Sequence, residues 1–250
     1  MGCNDDDTNS NDAGTGLPPI PSISYTISAS HPHDTSYFTQ GLEVYKNTII
    51  ESTGNYGDSK LLQHDATTGK TIKEVILDDQ YFGEGVTILN DTVYQLTWKE
   101  NVVLVYHVSD FKKIKEFPIR GEGWGITNDG KNLIVSNGSS DLFIYEPSTF
   151  KLLKTITVKE NGSFVPNINE LEFVNGFIYA NLWQSNNIIK IDLSTGNVVG
   201  KMDLSEIARN EKAMNPHAEV LNGIAYNPAT QKFFITGKNW SRIYEMQWMH

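Results

Sequence analysis

Apolar positions along this chain come in short runs rich in β-branched and aromatic residues, interrupted every few positions by Asn, Asp, Gly, Ser or Pro. Between residues 85 and 118 the runs are 85–89, 92–98, 102–107 and 113–118, separated by Asn90-Asp91, Lys99-Glu100-Asn101 and Ser109-Asp110. Short apolar runs between turn-forming residues read as four antiparallel strands joined by tight connections. A helix is expected only around 204–212, as a surface insertion.

The four-run unit repeats. Its opening, Phe82-Gly83-Glu84-Gly85-Val86-Thr87, returns as Gly121-Glu122-Gly123-Trp124-Gly125-Ile126-Thr127, with weaker echoes at Gln40-Gly41-Leu42, Glu170-Leu171-Glu172 and Asn222-Gly223-Ile224. The anchors Gly41, Gly85, Gly125, Leu171 and Gly223 stand 44, 40, 46 and 52 residues apart. Five four-stranded units in series predict an all-β, five-bladed β-propeller. The last unit has runs at 223–226, 232–236 and 241–247 but lacks a fourth, whereas an isolated alternating stretch, 23–28, precedes the first unit. The amino-terminal strand is therefore expected to complete the last blade, closing the ring and removing two sheet edges.

In such a blade the chain runs down the innermost strand and back up the second, so the start of one and the end of the other share a face. The second-strand ends are Gly54-Asn55-Tyr56-Gly57, Thr97-Trp98-Lys99, Ser136-Asn137-Gly138, Leu182-Trp183-Gln184 and Gly237-Lys238-Asn239-Trp240. Around one mouth this gathers Trp98, Trp124 and Trp183 with Glu84, Gln40, Asn169 and Lys238. A lone Trp in a repeat packs between blades about as readily as it lines a site, but the set together predicts a pocket. Glu84, between two glycines and after Phe82, is expected in an aromatic cleft where loss of water favours its protonated form. A salt bridge to Lys238 is the plainer alternative for Glu84, and Glu122 reads as structural.

Composition narrows the partners. The formal charge is −10 over 250 residues; an acidic chain argues against nucleic acid. No run of apolar residues is long enough for a membrane-spanning helix. Residues 1–19 are mostly Asp, Asn, Ser, Thr and Gly and are expected to form a solvated tether outside the domain at 20–250. Cys3 is the single cysteine, so no disulfide framework or cysteine metal site is expected. Lying between a Gly and the acidic tether, it resembles the cysteine that bacterial lipoproteins acylate, which gives an expectation of an extracytoplasmic, lipid-anchored protein. His31 and His33 are two apart, but no third ligand suggests itself, so they read as loop residues and no metal site is expected.

The motifs taken together resemble the glutamine cyclotransferase family, the plant and bacterial type of glutaminyl-peptide cyclotransferase. The likeness is carried by His33-Asp34, Phe38-Thr39-Gln40-Gly41-Leu42, Glu51-Ser52-Thr53-Gly54, Tyr56-Gly57, Phe82-Gly83-Glu84-Gly85-Val86 and Gln95-Leu96-Thr97-Trp98. It continues through Gly121-Glu122-Gly123-Trp124-Gly125, Asn169-Glu170-Leu171-Glu172, Tyr179-Ala180-Asn181-Leu182-Trp183-Gln184, Leu221-Asn222-Gly223-Ile224-Ala225-Tyr226 and Thr236-Gly237-Lys238. The resemblance implies a five-bladed propeller that converts the amino-terminal glutamine of a peptide into pyroglutamate with release of ammonia, without a cofactor. It places the pocket on Phe38, Gln40, Phe82, Glu84, Trp98, Trp124, Asn169, Trp183 and Lys238. Glu84 is expected to move the protons, Asn169, Gln40 and Lys238 to hold the amide and its oxyanion, and the aromatics to wall the glutamine side chain. One departure is Thr35-Ser36-Tyr37, where the family tends to have a proline and a smaller residue. Two other classes stay open: a metal-dependent propeller lactonase or hydrolase, with Glu84, Asn169 and Glu170 as oxygen ligands, and a peptide-binding propeller without catalysis.

Overall fold

The computed structural model describes residues 18–248. After β1 (Tyr25–Pro32), blade one is β2 (Thr39–Tyr45), β3 (Thr48–Thr53), β4 (Lys60–Asp65) and β5 (Thr71–Ile76). Blade two is β6 (Gly83–Leu89), β7 (Thr92–Thr97), β8 (Val102–His107) and β9 (Lys113–Pro118). Blade three is β10 (Ile126–Asn128), β11 (Leu133–Val135), β12 (Asp141–Glu146) and β13 (Lys151–Thr157). A small hairpin, β14 (Lys159–Glu160) with β15 (Ser163–Phe164), leads to blade four: β16 (Ile168–Val174), β17 (Phe177–Leu182), β18 (Asn187–Asp192) and β19 (Val198–Asp203). Helix α1 (Ser205–Met214) then precedes β20 (Leu221–Asn227), β21 (Lys232–Gly237) and β22 (Arg242–Trp248).

The innermost strands touch in a closed cycle, β2 to β6 to β10 to β16 to β20 and back to β2, which makes the five-bladed propeller. The last sheet has the order β1-β22-β21-β20, so the amino-terminal strand is its outer edge, paired from Tyr25 opposite Trp248 to Pro32 opposite Arg242. Five buried apolar clusters fill the five interfaces between blades. Ile50 and Leu61 meet Val86 and Val93; Leu96 and Val103 meet Ile126 and Leu133; Ile134 and Leu142 meet Leu171 and Ile178. Tyr179 and Ile188 meet Ile224 and Phe233, and Ala225 and Phe234 meet Leu42 and Ile49. Each side chain of leucine size so buried contributes about 1.5–3 kcal/mol, and the alternation of the strands aims every second residue at one neighbour or the other.

Turn chemistry explains where strands stop. Asn90 and Asp91 both adopt positive φ (51° and 56°), as do Asn175 and Gly176 (52° and 88°), the conformation a two-residue hairpin requires. At the outer loops an acidic side chain closes the turn: Asp65 Oδ1 accepts from the backbone N–H of Thr67 and Thr68, and Asp192 Oδ1 from that of Ser194.

One feature differs from the sequence expectation. Of the two histidines read as loop groups, His31 lies in β1, where it pairs with Glu245 at 2.9 Å, while His33 stands in the connection between β1 and β2 and is buried. Its Nε2 lies 3.1 Å from Glu51, which is also 3.1 Å from His64 Nε2 and accepts from Thr39 Oγ1 at 2.6 Å. The partners come from β2, β3 and β4, far from a two-residue spacing, and His33 Nδ1 meets the carbonyl of Trp240 at 2.8 Å in the last blade. Burial alone would push the Glu51 carboxyl up, but the two imidazoles outweigh it and hold it well below the usual carboxylate range. Helix α1 lies at the surface as expected, with Ile207 and Glu211 buried beneath it, and Glu211 accepts from Ser241 N–H and Oγ and from the Tyr244 hydroxyl at 2.7 Å, which ties the insertion to β22. The expectations about Cys3 and residues 1–17 lie outside the described residues.

Candidate active site

The innermost strands are bulged near one end. On β6 the pairing jumps from Gly83–Thr97 to Val86–Gln95, on β16 from Ile168–Leu182 to Leu171–Ala180, and on β20 from Leu221–Gly237 to Ile224–Ile235. On β2 it jumps from Thr39–Thr53 to Gly41–Ser52. The residues released from the ladder are Gln40, Glu84, Asn169 and Asn222, each at the first bulge position. A bulge re-aims a side chain that would otherwise alternate into a blade interface. Glycine follows the bulge where the axis is crowded: a Cβ on Gly41 would lie 2.4 Å from Val86 N, and one on Gly125 would lie 2.1 Å from Asn169 O.

A cavity of about 350 Å³ opens at this end, lined by Phe38, Gln40, Phe82, Glu84, Trp98, Trp124, Asn169, Trp183, Glu219 and Lys238. The structure thus brings together all nine residues singled out from the sequence and adds Glu219. The floor is polar and buried: Gln40, Glu84, Asn169 and Lys238 are each exposed by 5% or less. Gln40 Nε2 donates to Glu84 Oε1 at 2.9 Å. Asn169 Oδ1 is buried without a hydrogen-bond partner. Lys238 Nζ lies 4.5 Å from the centre of the Phe38 ring.

The walls are aromatic and interlocked. Phe82 packs edge-on to Phe38 and Tyr56 and tilted against Trp98, with centroids 6.2, 5.4 and 5.5 Å away. Trp124 meets Trp183 edge-to-face at 5.7 Å. One oxygen of Glu122, Oε2, accepts from both indoles, Trp98 Nε1 at 3.0 Å and Trp124 Nε1 at 2.9 Å. The structural reading of Glu122 is thereby given a content: it fixes the angle between two walls. Glycines cushion the rings from behind, since a Cβ on Gly54 would strike Phe82 at 2.3 Å and one on Gly138 would strike Trp124 at 2.6 Å. Trp240, at a second-strand end in the sequence, is fully buried and donates to Glu219 O at 3.0 Å, behind the cavity.

Electrostatics follow from the burial of these groups. Desolvation drives the Glu84 carboxyl well above its ordinary value; Lys238 opposes this, while Glu122 and Glu100 add to it. Desolvation likewise lowers Lys238, partly offset by Glu84 and Glu219. The hydrogen bond accepted by Glu84 comes from Gln40, not from Lys238. Desolvation thus acts on both groups in the direction of their neutral forms. Glu170, weighed from the sequence as an oxygen ligand, is committed elsewhere: its two oxygens accept from Leu42 N–H and Ile224 N–H and knit blade four to blades one and five. Among the described residues no group of three or more His, Cys, Asp or Glu is arranged to hold a metal ion.

A family model described as glutamine cyclotransferase matches residues 6–248. The chain belongs to the glutamine cyclotransferase family. A relative, the glutaminyl-peptide cyclotransferase of Arabidopsis thaliana, is 38% identical over 224 residues, 88% of this chain and 70% of that protein. The crystal structure of Myxococcus xanthus glutaminyl cyclase superposes with a TM-score of 0.85 at 35% identity, covering 92% of this chain and 98% of that one. In this chain the loop at 34–37 is held without a proline: Asp34 Oδ1 accepts from Ser36 N–H and Oγ, and buried Tyr37 shares a hydrogen bond with Thr71. Glu219 escaped the sequence reading because it lies in a loop with no repeat partner. Its only signal is a place four residues before the anchor Gly223.

Proposed function

We propose that this chain catalyses the cyclisation of an amino-terminal glutaminyl residue to pyroglutamate with release of ammonia. The observation that carries the reading is an aromatic-walled cavity whose floor holds one buried carboxylate, Glu84, hydrogen-bonded by Gln40. Membership of the family supports it. Within the cavity the glutamine side chain folds back so that its α-nitrogen approaches the amide carbon, a proximity effect that converts a flexible chain into a near-ring. Glu84 takes a proton from the α-ammonium, the amine nitrogen bonds to the amide carbon, and Lys238 faces the oxyanion that forms. Glu84 passes this first proton to the amide nitrogen and takes the surplus second proton from the newly bonded ring nitrogen; collapse of the oxyanion then breaks the bond between that carbon and the amide nitrogen, and the departing ammonia carries the second proton from Glu84 away as ammonium. Asn169 Oδ1, a free acceptor, receives a substrate N–H. In class terms this is acyl transfer, the side-chain carbonyl passing from one nitrogen to another.

Burial makes the first step feasible. An α-ammonium near pK 8 and an ordinary glutamate near 4.3 differ by roughly 3.5 units, about 5 kcal/mol uphill. Each unit by which desolvation raises Glu84 removes about 1.4 kcal/mol of that climb. The return transfer still runs downhill to the more basic departing nitrogen. Incubation of the purified protein with a small glutaminyl peptide tests the reading: equal amounts of ammonia and cyclised peptide are expected, and neither product from a folded preparation refutes it.

We further propose that Cys3 carries a lipid that holds the protein at an envelope membrane. The acidic stretch after it supports this. Palmitate incorporation in cells, abolished by Cys3→Ser, is the expected result, and an unlabelled protein in the soluble fraction refutes it.

A further inference from the structure

The last blade repeats the device that presents Glu84 and Asn169, yet the residue it releases, Asn222, does not line the cavity. Asn222 is fully buried, with its Oδ1 unpartnered. Leaving a buried acceptor unmade costs about 1–3 kcal/mol, so packing alone does not account for an amide here. Its Nδ2 donates to the Thr39 carbonyl at 3.0 Å and lies 3.4 Å from Gln40 Oε1. A backbone carbonyl only accepts, so the Thr39 contact fixes which end of the Asn222 amide is NH₂. The same NH₂ therefore confronts Gln40, which must turn its oxygen to Asn222 and its own NH₂ to Glu84. An amide otherwise has two orientations of nearly equal shape. In the other one, Gln40 would point an oxygen at the carboxylate and disfavour its charged form.

We propose that Asn222 is a positioning residue for the reaction: by fixing the Gln40 amide it ensures that Glu84 receives a donor and stays able to ionise where it is buried. The role deepens the proposed cyclisation and rests on it for its catalytic meaning. The charged and titratable groups that reach Glu84 are Lys238 from the last blade, Glu122 ahead of blade three, Glu100 between β7 and β8, and Tyr56 after β3. Replacing Asn222 removes none of them. Loss of the oriented donor raises the proton affinity of Glu84, and because the carboxylate form must accept the ammonium proton, activity is lost on the acid side.

The test compares wild type with Asn222→Leu, which keeps the approximate size and removes the donor; the smaller Asn222→Ala serves if the branched chain prevents folding. Two readouts are taken. The acid limb of kcat/KM for a glutaminyl peptide is expected to move up by about one pH unit, a tenfold change in proton affinity, while the basic limb stays. The Glu84 carboxyl carbon, labelled with ¹³C and assigned by its disappearance in Glu84→Gln, is expected to titrate higher by the same amount. The second readout needs no turnover, so an inactive wild type would sink the proposed function while still deciding this inference. A folded variant whose acid limb and Glu84 titration both coincide with wild type overturns it, even if its activity is reduced.

Discussion

Replacing Glu84 by Gln removes the exchangeable proton while leaving nearly everything else in place. The new amide offers an oxygen to Gln40 Nε2, so the 2.9 Å hydrogen bond has a successor. Its volume matches that of the carboxyl, and the side chain lies on a bulge rather than in a blade interface. Turnover is expected to fall by roughly 10²-fold or more, the reach of general acid–base catalysis, with the acid limb of the pH profile abolished. Stability moves the other way. The folded Glu84 carboxyl has a raised pKa, so the native state binds more protons than the unfolded one above about pH 4.3, and wild-type stability declines as pH rises from there toward the raised value. Glu84→Gln lacks that decline, and its melting temperature at neutral pH is expected to equal or exceed that of wild type. Ammonia release from a glutaminyl peptide and a thermal melt at several pH values measure both. A folded Gln variant with near-normal turnover refutes the proton-transfer role, and a melting temperature well below wild type refutes the view that the charge is carried at a cost to stability.

Three further outcomes are expected. Trp124→Ala removes a wall and should raise KM with little change in kcat, the signature of lost uniform binding; Glu122→Ala should do the same by freeing both indoles, and a kcat effect larger than the KM effect in either would contradict the wall assignment. His33→Ala leaves Glu51 buried with one imidazole and is expected to cost about 3 kcal/mol, read by urea unfolding. The His33 contribution is complete below about pH 6.5 and lost as pH rises through its raised folded value, while that of Glu51 is lost on acidification below about pH 4.3; the difference between wild type and variant should therefore peak between those limits, and a flat profile would contradict the clasp. Turnover in excess chelator should match untreated enzyme; loss restored by one added metal would revive the hydrolase alternative.

How much was legible in the sequence follows from what each residue is made to do. The Gly-then-apolar openings stood out because crowding at the axis tolerates no Cβ at Gly41, Gly85 or Gly125, where at Gly85 it would lie 2.7 Å from Ile126 N, whereas blade four carries Glu170 at that place. That steric need recurs often enough that the repeat length, the strands of blade two and the strand that closes the ring were readable. The pocket residues share that periodicity: bulges present Gln40, Glu84 and Asn169, and Trp98, Trp183 and Lys238 each directly follow the second strand of their blade. Glu219 belongs to a single loop, and the His33–Glu51–His64 cluster unites a loop and two strands at unrelated spacings, so neither left a periodic trace. The hairpin β14–β15 and the buried carboxylate of α1 are likewise single occurrences. Asn222 is an instructive middle case: its position in the motif was visible, but its task depends on which way one amide points.

The pairing of β1 with β22 has a consequence in time. Tyr25 finds its partner in Trp248, almost the whole chain away, and such non-local pairing makes folding slow. During synthesis the first strand emerges with its designated neighbour still unmade. It must wait while four blades form behind it, and when β22 arrives its unpaired edge is a template for any extended segment, including the waiting strand of another copy. Crowded expression should then yield exchanged dimers joined through the last blade, whereas joining β1 by a short linker after β22 in a circular permutant would let that blade assemble as a local meander and shorten the vulnerable interval.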